Sequence, residues 1–375
     1  MNPERTIDMA ITKDPDLPTL SQSKANTFNT CRQKYHLKYN KKLRRRRVAR
    51  PLTFGSAVHK VIEDTINGVP TRKLRKSLDT WAADELQKMN YFTAEQELFF
   101  DTVNEAWMVM REYADFWPQT HLKYIEANGT KAEHEIYYPL PGEDFAVTGK
   151  VDAYAQSQNK LRWLVEHKTG AKPLSEDDRW RSIQAAVYDT VGPEIGLPQT
   201  DGIVWDMVRS KTPTQPKLLV AGTFSLARLD SMPFTVREAI LRAEQDPNDY
   251  PTLLANAEKS RSDWFQRVFQ PVTTDVKKFL FSEFVATGRE INEVGHKDNH
   301  RMTIGKHCGW CDFESICRAK MSNDDVDYVI EKEYTNAEAT PKGKVADKPK
   351  PRKTVRKKVI AKSLGTTKPG GRRKP

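Results

Sequence analysis

Gly149-Lys150-Val151-Asp152-Ala153-Tyr154, followed across Ser157-Gln158-Asn159-Lys160 by Leu164-Val165-Glu166-His167-Lys168-Thr169-Gly170, reads as two strands joined by a turn. A turn centred on Asn159 sets Asp152 opposite Glu166. Opposed side chains on antiparallel strands share a face about 4.5–5.5 Å apart at Cβ, where like charges destabilise the sheet unless something neutralises them. A divalent cation would do so. Lys168, two residues after Glu166, projects from the same face because side chains alternate with period two. Two carboxylates and an ammonium so placed can bind Mg2+ or Mn2+ through oxygen, orient a water and offset charge on a phosphate. That is the minimum equipment for phosphodiester hydrolysis. The hairpin alone fits a surface ion-pair network on a polar strand face equally well.

Around the hairpin the texture is mixed. Strand character runs over Glu133 to Leu140, Phe145 to Ala155, Leu161 to Thr169, Gly202 to Arg209 and Lys217 to Leu226, with turn residues between. Helical spacing covers Arg179 to Val191, Val236 to Ala243, Tyr250 to Val268 and Thr274 to Val285. Before the hairpin, Ser21 or Ser23 can cap a helix with Phe28, Cys31, Tyr35 and Tyr39 on its inner face, and Thr53 to Ile66 reads as a second helix carrying Gly55, His59 and Glu63. From Leu74 to Trp117 an apolar stripe including Trp81, Phe99, Val103 and Trp107 predicts a helical insertion, residues 70–125, packed on itself. The expected fold class is α/β, a mixed central sheet flanked by helices.

The chain holds four cysteines: Cys31, then 277 positions later Cys308, Cys311 and Cys317. The absence of a charged-then-apolar leader at Met1 to Leu20, and of any apolar run of about 18 residues, predicts a cytosolic protein. In a reducing compartment a C-x2-C pair points to a metal site rather than to disulfides. Zinc and iron–sulfur clusters both accept four thiolates, so spacing alone leaves the metal open. One shared site would clip the first helix to the far end of the domain.

Of the net charge of +11, residues 341–375 contribute +13, from 14 Lys and Arg against Asp347, so the remaining 340 residues carry −2. With five prolines, four glycines and no aromatic residue, residues 336–375 are expected to be a disordered basic tail serving as an electrostatic arm for nucleic acid, and residues 1–19 a flexible N-terminus.

Several motifs, in this order, resemble the RecB-type nucleases of the PD-(D/E)XK superfamily. They are Leu20-Ser21-x-Ser23 leading to Cys31 and Tyr35, Gly55-x3-His59, Gly149-x2-Asp152, Glu166-x-Lys168-Thr169-Gly170, Gln184-x3-Tyr188 and the three late cysteines. The layout is most similar to the iron–sulfur branch, which includes AddB-type nuclease domains and CRISPR-adaptation exonucleases. The resemblance spans roughly residues 20–320 and implies a nuclease domain at 20–335. His59, Asp152, Glu166 and the backbone carbonyl of His167 would be metal ligands for Mg2+ or Mn2+, and Lys168 the catalytic lysine. Gln184 and Tyr188 would contact DNA or support the site, and the four cysteines would bind a 4Fe-4S cluster. The activity implied is a DNA exonuclease working on ends or single strands in recombination, repair or replication, of a phage or a bacterium, and hence in the cytoplasm, the host's if phage-encoded. No Walker motif is present, so unwinding would come from a partner helicase, and a single-strand annealing or single-strand binding protein would fit the same setting. DNA would be gripped by the helical insertion with Arg44 to Arg47 and Arg179 to Arg181, while Trp180 reads as a buried helix aromatic rather than a base-stacking one. A catalytically inactive nucleic-acid-binding module and a zinc-stapled recruitment scaffold are the alternatives; intact Asp152, Glu166 and Lys168 argue against both.

Overall fold

A computed structural model of the chain describes residues 13–89, 93–117, 121–227, 229–295, 297 and 300–336. Asn336, expected to begin the basic tail, closes the strand Tyr334–Asn336 instead; the rest of that tail and most of the N-terminal segment lie outside the described residues.

Strand β1 (Thr19–Leu20) leads into α1 (Gln22–Thr30), whose Ser21 cap accepts a hydrogen bond from the Lys24 N–H, and α2 (Arg32–Tyr35). After β2 (Leu43–Arg45) come α3 (Arg50–Ile66), α4 (Thr71–Lys88), α5 (Thr93–Met110) and the short α6 (Tyr113–Phe116). Strands β3 (Lys123–Tyr124), β4 (Ala132–Pro139), β5 (Ala146–Gln156) and β6 (Arg162–Gly170) follow. Next are α7 (Glu176–Trp180), α8 (Ile183–Val191) and β7 (Gly202–Arg209), then α9 (Pro233–Arg242), α10 (Pro251–Ser260), β8 (Phe265–Pro271) and α11 (Thr274–Val294). The cysteine segment leads to α12 (Glu314–Ser322), α13 (Val326–Glu333) and β9 (Tyr334–Asn336).

Seven strands form one mixed sheet in the order β1-β5-β6-β7-β8, with β4 and β3 along the other edge of β5. Pairs β1–β5 and β6–β7 are parallel and the rest antiparallel. Helices cover both faces. On one, Phe54, Val58, Leu78, Phe99 and Val103 from α3, α4 and α5 pack on Ala153, Val165, Val204 and Val208. On the other, Val187 and Tyr188 of α8 and Phe284 of α11 pack on Val147, Val151, Leu164 and Trp205.

The stripe from Leu74 to Trp117 is therefore one wall of the main core rather than an insertion packed on itself. Its apolar residues had no visible partner in the sequence because most of the strand residues they meet, Ala153, Val165, Val204 and Val208 among them, lie far downstream. A second correction concerns Lys217 to Leu226, which is no sheet strand: Leu218, Leu219 and Val220 are exposed, and only an isolated bridge joins Leu218 to Phe224. The sheet's last strand is β8, within the stretch expected to be helical to Val268, because Phe265 to Gln270 pairs along β7 from Val208 back to Ile203.

Backbone pairing and apolar contact join the two ends of the domain. Strand β2 pairs with β9, and Leu37 packs with Phe313, Ile316 and Tyr334 in a small core of their own.

Candidate active site

The hairpin has the register read from its turn: Ala153 opposes Val165 and Tyr154 opposes Leu164. The ladder ends there, one step before Asp152 and Glu166. Beyond that point β6 continues along β7 as far as Gly170, while β5 keeps β4 on its other edge. The strands thus fork, and the two acids flank the opening rather than forming a ladder pair. At the mouth of the fork the His167 N–H donates to Asp152 Oδ2 at 2.7 Å.

Strict alternation along β5 fails at the same place. Val147 and Val151 belong to the α8-side core and so does Tyr154, whereas Ala153 and Ala155 belong to the α3-side core. Opposite, between Ala132 and His134, Glu133 of β4 takes a left-handed backbone with φ +61°, a conformation rarely held by a non-glycine outside sites that demand it. This phase break lets Asp152 meet groups from both layers. From the α3 side His59 places Nδ1 3.4 Å from Asp152 Oδ1 and 3.9 Å from Glu133 Oε1. Lys150 Nζ lies 3.2 Å from Glu133 Oε2.

Each helix reaches the fork through a glycine of the motifs. A Cβ on Gly55 would come within 3.1 Å of Thr169 Oγ1, so this glycine lets α3 lie close on the end of β6, with His59 one turn further along. A Cβ on Gly149 would come within 2.4 Å of the Tyr188 ring. That contact seats α8 on β5 and puts Gln184, one turn before Tyr188, over Glu166 and Lys168.

There Lys168 Nζ donates to Glu166 Oε1 at 2.6 Å and to Gln184 Oε1 at 3.0 Å, while Gln184 Nε2 donates to Glu166 Oε1 at 2.8 Å. The other carboxylate oxygen, Glu166 Oε2, is buried and has no partner. Tyr188 is 6% exposed and its hydroxyl accepts from the Lys150 N–H at 3.4 Å. It packs within the protein, and Gln184 has both ends of its amide engaged with Lys168 and Glu166.

The electrostatics separate the two acids. Burial, and then the Asp152 charge, push Glu166 up to about 7, with Lys168 pulling the other way. Burial also works against ionised Asp152, yet His59 and then His167 hold it below its usual range. For His59 burial alone would lower the pKa, but Asp152 and Glu133 raise it to about 10. Two neighbouring carboxyls driven apart in this way suit an acid–base or metal-binding site.

His59, Glu133 and Asp152 bring one ligand atom each to within 4.8 Å of one another, the only such group of three or more among the described residues. Glu133 was missed in the sequence. Only the structural register reveals it: with Ala132 across from Ala153, Glu133 occupies the β4 position facing Asp152.

The family model of the PD-(D/E)XK nuclease superfamily matches residues 19–318. The chain belongs to this superfamily. Its members are typically metal-dependent nucleases that act on DNA. A search of curated proteins finds no match to the sequence.

Elsewhere this PD-(D/E)XK chain departs from expectation. The four cysteine sulfurs are not gathered to direct metal-ligand spacing. They are still neighbours: the Thr303 N–H points at Cys31 Sγ at 3.5 Å and its carbonyl lies 3.7 Å from Cys308 Sγ. Burial and then the charges of Cys311, Cys31 and Cys308 push Cys317 up to about 11. Trp180 is half exposed rather than buried, because α7 is a five-residue helix with no buried residue. Several of the expected DNA-gripping arginines are already paired, Arg45 with Glu333, Arg47 with Glu95 and Arg181 with Asp177. Among the described residues no helix is long and apolar enough to cross a membrane.

The raised Glu166 carboxyl has a measurable consequence in metal-free protein. The unfolded chain releases this proton near pH 4.5 and the folded chain near pH 7, so between those values the folded state binds more protons and stability falls as pH rises. Glu166→Gln removes that dependence. With chelator present, the difference in urea midpoint should move in the variant's favour from about pH 4.5 to 7 and then level off; a difference that stays constant across that range contradicts the assignment.

Proposed function

We propose that this protein is a Mg2+- or Mn2+-dependent DNA exonuclease that hydrolyses phosphodiester bonds at DNA ends or in single strands, with Asp152, Glu166 and His59 as metal ligands and Lys168 as the catalytic lysine. The observation that carries this reading is Glu166 Oε2, a buried carboxylate oxygen without a partner, at the fork beside the close group formed by Asp152, His59 and Glu133. A buried anion left so is costly unless a cation is to fill the place. The donor set, carboxylate oxygens and one imidazole, suits a small divalent ion, and Glu133 and the His167 carbonyl complete the candidates around it.

When bound, such an ion polarises the phosphate and lowers the pKa of a water. The chain's own residues supply the rest. The Gln184 amide holds the Lys168 ammonium against Glu166, so that its positive charge faces the space where phosphate negative charge grows in the transition state. Water oxygen forms the new bond to phosphorus, the bridging P–O bond breaks, and the departing oxygen takes up a proton. Tyr188, bracing α8 on Gly149, keeps Gln184 in register with Lys168. Unwinding by a separate helicase, and handover to a single-strand annealing or single-strand binding protein, fit an enzyme of this kind.

Cys31, Cys308, Cys311 and Cys317 are proposed to bind a 4Fe-4S cluster that reinforces the β2–β9 clip. Support comes from the chemistry of four thiols converging from both ends of the domain. Zinc and iron–sulfur clusters both accept four thiolates, so the preference for iron rests on the resemblance of the cysteine order to the iron–sulfur branch of the superfamily.

With end-labelled single- and double-stranded DNA and Mg2+ or Mn2+, the parent protein should release short products from ends. Asp152→Ala, Glu166→Ala and Lys168→Ala should each slow cleavage at least about 100-fold, a loss of about 3 kcal/mol of transition-state stabilisation, with DNA binding retained. Near-parental cleavage by the Asp152 or Glu166 variant would overturn the site. Protein purified without oxygen should be brown and carry about four iron and four sulfide per chain, and Cys311→Ser should lose the iron and become protease-sensitive. Stoichiometric zinc without iron in such protein would contradict the cluster.

A further inference from the structure

Behind the fork, three adjacent strands carry one row of buried charged side chains. His167 of β6 registers with Asp206 of β7, and Asp206 with Arg267 of β8. His167 Nδ1 lies 3.2 Å from Asp206 Oδ2, and Arg267 Nη2 lies 3.2 Å from the same oxygen. Tyr113, at the start of α6, donates its hydroxyl hydrogen to Asp206, and Arg267 also donates to the hydroxyls of Tyr113 at 3.1 Å and Tyr124 at 3.3 Å. Trp117 stacks on the guanidinium at 4.2 Å. Asp206 is fully buried and Arg267 nearly so.

A buried ion pair is a poor means of stabilising a core, since hydrophobic side chains of similar volume often do as well. What distinguishes this one is where the row ends. His167 is the residue between Glu166 and Lys168, its N–H holds Asp152 at 2.7 Å, and its ring stands edge-on to His59 with centroids 5.9 Å apart. Rotation of the His167 peptide would move four site residues at once.

We propose that Asp206 is a positioning residue of the nuclease site: braced by Arg267 and Tyr113, it fixes the His167 imidazole and so the peptide that sets Glu166, Lys168 and Asp152 against one another. It touches neither substrate nor metal. Its carboxylate lies 3.2 Å from His167 Nδ1, and that negative charge favours hydrogen on this nitrogen and one ring orientation, as carboxylates behind metal-site histidines do. This rests on the metal-dependent reading given above.

The test uses the full-length protein, with Mn2+ binding measured by calorimetry and turnover measured separately. Asp206→Asn keeps the shape and loses the charge. It should raise the Mn2+ Kd about tenfold, the effect typical of outer-shell partners, and lower kcat while leaving KM for DNA within about twofold. In a His167→Leu background, where the ring is gone, adding Asp206→Asn should change neither quantity further. Unchanged Mn2+ affinity in Asp206→Asn, or an equal loss in both backgrounds, would overturn the proposal in favour of a purely structural ion pair. If Asp206→Asn fails to fold, Tyr113→Phe removes one brace and leaves Arg267 paired. It should weaken Mn2+ binding a few-fold, and no change would overturn the proposal. A parent protein that binds no Mn2+ would remove the metal reading itself and this inference with it.

Discussion

Everything in the site depends on the parting of β6 from β5 after Val165. Had the ladder run on, Asp152 and Glu166 would sit as a like-charged cross-strand pair, which a sheet tolerates poorly. By forking, the strands keep both acids at one opening while giving each a different set of partners. Asp152 receives His59 and the His167 N–H; Glu166 receives Lys168 and Gln184 on one oxygen and nothing on the other. The left-handed Glu133 and the broken alternation of β5 mark the local distortion that the fork requires.

The helical layers then act as two jaws on that opening. Gly55 and Gly149 are the points at which a side chain would hold α3 or α8 away from the sheet, and each stands one turn or one strand step from a residue of the site. The motif glycines and the motif polar residues are therefore one mechanical unit. The buried row from His167 to Arg267 links the Glu166–Lys168 segment through two further strands to α6.

Much of this was legible in the sequence because the hairpin is local. The turn around Asn159 fixed the register to the residue, and period two put Glu166 and Lys168 together. The phase break was not legible, since nothing in the identity of Glu133 announces a left-handed backbone. For the same reason the shared face expected of Asp152 and Glu166 became a fork, and a ligand candidate was overlooked. Strand β8 was lost in a helical run because its partner, β7, lies more than fifty residues upstream. Cys31 and the late cysteines could be grouped from composition, but their spacing in three dimensions depends on the β2–β9 clip and the packing of Leu37 on Phe313, Ile316 and Tyr334, contacts across nearly the whole domain.

The central claim is that the fork is a seat for a divalent cation. Anomalous diffraction from crystals grown with Mn2+, recorded at the manganese edge, tests it most directly. The account predicts one strong peak within coordination distance of Asp152, Glu166 and His59, with Lys168 still beside Glu166. Density for manganese only elsewhere on the protein, with the Glu166 oxygen still unpartnered at full manganese loading, would contradict it.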